Sequence, residues 1–110
     1  MTEDKTERIR ALNDALRTTG QGGTILLTQG IQQRGQETIQ LIVHSIQVFD
    51  DFTEDNDPHQ EHDFGIVTID GERIYWKIDY YDGALEGHSP DPANPDVTHR
   101  VLTIMLAAEY

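Results

Sequence analysis

The dipeptide Asp70-Gly71 stands between two apolar-alternating runs, FGIVTI and ERIYWKIDYY, and no other stretch constrains the fold of this chain as tightly. A two-residue hairpin loop of type I′ needs positive φ at both central positions, which Asp followed by Gly tolerates. Centring the loop there pairs Gly65 with Trp76, where the indole covers bare backbone, and brings His62 across from Asp79. One face of the hairpin then collects Val67, Ile69, Ile74, Trp76 and Ile78 and is core. The other carries Phe64, Ile66, Thr68, Arg73, Tyr75, Lys77 and Asp79, a mixed face that a helix could half cover.

Around the hairpin the apolar spacing marks three helices and one more strand. Ile9, Leu12 and Leu16, with Ala15 beside them, form one stripe over residues 2–18, and Gly20, Gly22 and Gly23 end it. Thr24 to Thr28 has the length and flanks of a buried strand, closed by Gly30. Ile39, Ile42, Val43 and Ile46 define a second helix over 36–48. After a proline-rich loop, Asp96 serves as N-cap of a last, deeply buried helix with Val97, Val101, Ile104, Met105 and Ala108 on one stripe and Leu102 and Leu106 beside it. The expected fold is a single α+β domain over 1–110, with a small antiparallel sheet of three strands packed against about three helices in the order α-β-α-β-β-α.

The formal charge of −12 is uneven: residues 1–34 hold five basic and four acidic side chains, residues 35–110 three and sixteen. That field repels phosphate backbones and anionic lipid, so neither direct nucleic-acid binding nor a membrane surface is expected. It attracts cations and basic protein surfaces, including those that otherwise hold nucleic acid. The chain has no Cys, which removes disulfides and thiolate metal sites and agrees with a reducing compartment. No stretch is apolar enough for a signal peptide or a span, so the expected location is cytoplasmic.

Seven carboxylates and two histidines crowd the fourteen residues Asp50–Asp63, with no Lys or Arg among them. Phe49, Phe52 and Phe64 give the block apolar anchors at both ends, and Pro58 stiffens its middle. It is not an EF-hand: a loop begun at Asp55 needs Gly where Gln60 stands and a bidentate Glu where Ile66 stands. A transition-metal site on His59, His62 and Asp79, with Glu61 or Asp63 as general base, uses ligand types that accept a divalent metal. The duller alternative is a loop stiffened by Asx-turns and a His62–Asp79 hydrogen bond. Asp63-Phe64-Gly65 copies a kinase triplet in letters only, and Gly20-Gln21-Gly22-Gly23 follows a helix rather than preceding one, so it reads as a turn and not a phosphate cradle. Ser45 and Ser89 are the only serines, which leaves little for nucleophilic catalysis. Tyr75 and Tyr81 fall on the mixed face beside the block, and aromatics next to carboxylates suit an interface that accepts Arg and Lys.

The stretches RIRALNDALRTTGQGGTILLTQGI, FDDFTEDNDPHQEHDFG, ERIYWKIDYYD and SPDPANPDVTHRVLTIMLAAEY resemble DUF3768, a family of small bacterial proteins of unknown function. The resemblance implies an accessory role in mobile-element biology and brings no catalytic residues. The expected function is a non-enzymatic interaction protein without cofactor, an inhibitor or decoy of a defence system such as CRISPR or restriction. Its partner would be a protein with a basic surface, bound through Asp51, Glu54, Asp55, Asp57, Glu61, Asp63, Tyr75 and Tyr81. The alternative is a small metal-dependent hydrolase on His59, His62 and Asp79.

Overall fold

The structure, a computed structural model, describes residues 2–110. Helix α1 (Thr2–Thr19) leads into strand β1 (Gly23–Leu27), a short helix α2 (Gln29–Gln32) and helix α3 (Gln36–Gln47). The hairpin strands β2 (Phe64–Ile69) and β3 (Glu72–Tyr81) follow, then a 3₁₀ turn at Pro95–Val97, strand β4 (His99–Leu106) and a 3₁₀ turn at Ala107–Glu109. Among the described residues no helix is long and apolar enough to cross a membrane.

The hairpin has the expected register. Asp70 and Gly71 take φ of 53° and 80°, and Gly65 pairs with Trp76 and Phe64 with Lys77. A Cβ added to Gly65 would lie 2.5 Å from Trp76 Nε1, so only glycine lets the indole settle on this strand. Both long helices also stand where the apolar stripes place them.

The sheet itself differs from expectation. It has four strands in the order β1-β4-β3-β2, antiparallel except where β1 runs parallel to β4, so it is mixed rather than antiparallel and three-stranded. The fourth strand is the segment read above as the last helix. β4 lies between β1 and β3 and is buried on both faces, through Leu102 and Ile104 on one side and Val101 and Met105 on the other. A strand covered on both faces loses its alternation, and its apolar residues then fit a helical stripe equally well. Asp96 caps nothing; its N–H donates to the Asn94 side chain in the 3₁₀ turn. β1 is an edge strand and not a buried one, with Ile25 and Leu26 exposed.

The core fills the space between the helices and one face of the sheet. Leu16 of α1, Ile31 of α2, and Ile42 and Ile46 of α3 meet Ile74, Trp76, Ile78, Leu102 and Ile104 there. The opposite face, bearing Tyr75, Lys77, Asp79 and Tyr81 from β3 and Val101, Thr103 and Met105 from β4, carries no long helix; Tyr110 packs edge-on against Tyr75 and Phe64 at one end.

Candidate functional site

Alongside its apolar stripe, α1 carries a polar one, Arg10, Asn13, Asp14 and Arg17, at the i, i+3, i+4, i+7 spacing that puts side chains on one helix face. All four reach the segment between α3 and β2. Arg10 Nε donates to Gln60 O at 2.8 Å, and Asn13 Nδ2 donates to Glu61 O at 3.0 Å. Asp14 Oδ1 lies 2.9 Å from His62 Nδ1. Arg17 donates to the carbonyls of Ile46 and Gln47 at the end of α3 and of Phe49 just beyond it, and its guanidinium sits over the rings of Phe52 and Trp76. The acidic block is therefore folded against the helix layer as a clamped loop.

Inside the loop, Thr53 N–H donates to Asn56 Oδ1 and Asn56 Nδ2 donates to Asp51 O, while Asp57 N–H closes a turn on Thr53 O. Gln60 and His62 take φ of 59° and 55°, left-handed conformations that bend the chain before β2 begins. That bend removes His62 from the hairpin register. Its ring stacks on Phe52 at 3.7 Å between centroids, with Asp14 at Nδ1 and Asp57 Oδ2 3.7 Å from Nε2. Asp79 lies on the opposite face of the sheet, ion-paired to Lys77 at 3.0 Å.

The expected metal set is thus divided. His62 faces Asp14 and Asp57, Asp79 faces Lys77, and His59 is exposed, so the His62–Asp79 pair read from the register does not form. Among the described residues, no three His, Asp or Glu side chains are grouped closely enough to hold a metal ion.

The carboxylates of the block fall into two groups. Asp57 is buried, its Oδ1 accepting the His62 N–H at 3.1 Å. Glu61 is half-buried and accepts the Tyr80 hydroxyl at 2.7 Å; burial and this contact push the Tyr80 phenol well above its ordinary value. Asp63 is half-buried too, and burial first, then Glu61 beside it, raises its carboxyl above the usual aspartate value. Asp50, Asp51, Glu54 and Asp55 remain exposed around the outer rim. Tyr75 and Tyr81 sit on the open face of the sheet, away from this rim, because β3 directs its odd-numbered residues opposite to Trp76.

Sequence reasoning missed the clamp entirely, and it missed Arg100. This arginine is buried in β4, donates from Nε to Asn13 Oδ1 at 2.8 Å and from Nη2 to Pro92 O, and lies over the Tyr80 ring. Asn13 links it to Tyr80, donating to the phenol oxygen at 2.7 Å. The available signal was the second i, i+3, i+4, i+7 stripe on α1, rich in groups that carry several hydrogen bonds.

The family model for DUF3768, described as a protein of unknown function, matches residues 27–109. The chain belongs to the DUF3768 family. No curated protein and no solved structure matches it. In this DUF3768 member the matched region takes in the acidic loop, the hairpin and β4, whereas the four clamping side chains of α1 lie ahead of it.

Proposed function

We propose that this DUF3768 protein is a non-enzymatic interaction protein whose acidic loop engages a basic surface of a protein partner and so acts as an inhibitor or decoy. One observation carries the reading. Asp50, Asp51, Glu54 and Asp55 are exposed on a loop that side chains of α1 hold by hydrogen bonds, and none of them joins an ion pair among the described residues. Four like charges fixed on a rigid rim repel one another, and a cationic surface relieves that repulsion without ordering the loop first. The proposed contact centres on Asp51, Glu54 and Asp55 of the set expected from sequence and on their neighbour Asp50, because Asp57 is buried on His62, Glu61 accepts from Tyr80, and Asp63 is half-buried. Surfaces that grip nucleic acid have the matching charge, and the mobile-element setting implied by the family resemblance makes a nucleic-acid-handling defence complex the first partner to test.

The test is capture of partners from a bacterial lysate at low and high salt, with DNA as competitor, using the wild type and an Asp51→Asn, Glu54→Gln, Asp55→Asn triple variant. The proposal expects a captured protein that DNA displaces, that is lost as the Debye length falls to about 3 Å at 1 M salt, and that the variant retains weakly. Capture that is indifferent to salt and to the triple variant would refute it.

A further inference from the structure

The face of the sheet opposite the helices forms a cleft of about 750 Å³. Val101 and Met105 make its floor, and Leu26, Tyr81, Leu85 and Tyr110 stand around it, each more than a third exposed. Of the eight large hydrophobic residues left exposed among the described residues, five (Leu26, Ile66, Tyr81, Leu85 and Tyr110) lie on this face or at its rim. A concentration of this kind marks an interaction surface rather than random exposure.

Leu85 is placed there by a strained turn. Asp82 and Gly87 close the loop through a 2.9 Å backbone hydrogen bond, Leu85 N–H donates to Asp82 O, and Leu85 itself takes φ of 60°. A leucine in the left-handed region costs about 1 kcal/mol or more, and here the side chain gains little burial in return, being 54% exposed. The strain holds an apolar side chain over the cleft mouth.

Charge selects the occupant. Among the described residues Lys77 is the only Lys or Arg lining the cleft and is already paired with Asp79, while Glu109 spends its oxygens on Thr28, Gly30 and Leu106. Asp82 and Glu86 flank Leu85 in the turn, Asp79 lines the cleft itself, and Asp63 lines an adjoining hollow that shares Asp79 and Tyr81 with the cleft. A second copy would bring the same carboxylates and the same net charge of −12 to the contact. The cleft spans β1 to β3, two strand spacings or about 10 Å, which is the breadth of one helix.

We propose that the open sheet face is a docking site for a basic amphipathic helix of a partner protein, apolar side down on Leu26, Val101, Met105 and Leu85, with Lys or Arg reaching Asp79, Asp82 and Glu86. This surface is separate from the acidic loop, and its occupancy does not rest on the loop's function. The probe is a fluorescein-labelled synthetic helix of leucine and lysine with all leucines on one side, titrated by anisotropy into the full chain. It should bind the wild type and the triple loop variant equally, and a Leu26→Ser, Leu85→Ser double variant should weaken binding roughly tenfold or more. Both leucines are exposed, so the double variant should keep its melting temperature. Equal binding of a peptide whose leucines are spread around the helix would overturn the proposal, as would a loop variant that loses the probe while the leucine variant keeps it. Sedimentation as a dimer that Leu85→Ser dissociates would assign the face to a second copy instead.

Discussion

Nδ1 of His62 lies 2.9 Å from Oδ1 of Asp14, although 48 residues separate them in the chain. The same oxygen accepts from Arg17 Nη2 at 3.0 Å, and Arg17 in turn holds the carbonyl end of α3. One carboxylate on α1 therefore ties the start of the acidic segment to its finish. This is why a run of seven acidic side chains is a defined loop and not a solvated tail.

Removing that carboxylate should free the loop before it unfolds the protein. Asp14→Ala is expected to cost about 1–2 kcal/mol, since the group is partly exposed and solvent replaces some of what is lost. Amide exchange should accelerate from Thr53 to His62 while the β3 and β4 amides keep their protection. Unchanged exchange in the loop would mean that Asn13 and Arg10 suffice to order it.

Trp76 and Gly65 should behave as a unit. Trp76→Ala removes the largest buried side chain and is expected to cost about 3–5 kcal/mol. Gly65→Ala pushes a methyl group into the indole and should cost about 1–3 kcal/mol. In a Trp76→Leu background the second penalty should shrink, and denaturant melts of the four proteins close the cycle. Additive losses would show that the two residues do not touch.

The elements legible in the sequence were those whose burial is one-sided. Ile9 and Leu16 on α1, Ile42 and Ile46 on α3, and Ile74, Trp76 and Ile78 on β3 each face core on one side and something more polar on the other, so their period shows. β4 is buried on both faces, by the core on one side and by the side chains around the cleft on the other, and shows none. Leu26 reads as apolar, hence buried, yet it belongs to an edge strand, and edge position is a property of strand order that no local pattern encodes. The acidic block was visible as composition, but its geometry depends on contacts from Arg10, Asn13, Asp14 and Arg17, and long-range polar contacts leave no periodic trace of their partner. The left-handed turns at Gln60 and His62 have no glycine to signal them, so the hairpin register was carried two residues too far, to the absent His62–Asp79 pair.

Arg100 is a buried cation without a carboxylate partner among the described residues, held by Asn13, the Pro92 carbonyl and the Tyr80 ring. Arg100→Ala leaves those groups unpaired around a cavity and should cost about 3–5 kcal/mol. Arg100→Met keeps most of the volume and should recover part of that loss. Equal melting temperatures for the two variants would place the stabilisation in the hydrogen bonds alone.

Asp63 yields a pH-dependent prediction whose sign is fixed by burial. Its carboxyl titrates above the ordinary aspartate value of 3.8 because the site is partly desolvated and Glu61 lies beside it. The folded chain therefore holds this proton more tightly than the unfolded chain does, and the ionised form opposes folding. That penalty is absent below the unfolded value, grows as pH rises through the raised folded value, and is constant above it. Asp63→Asn removes the charge and should stabilise the protein at pH 7 by less than about 1 kcal/mol, because solvent reaches the half-buried group. The gain should fade as the pH is lowered toward 3. Thermal melts of both proteins from pH 3 to pH 7 decide the matter: a gain that is constant with pH would have a packing origin, and a loss at pH 7 would mean that the carboxylate accepts hydrogen bonds stronger than its desolvation penalty.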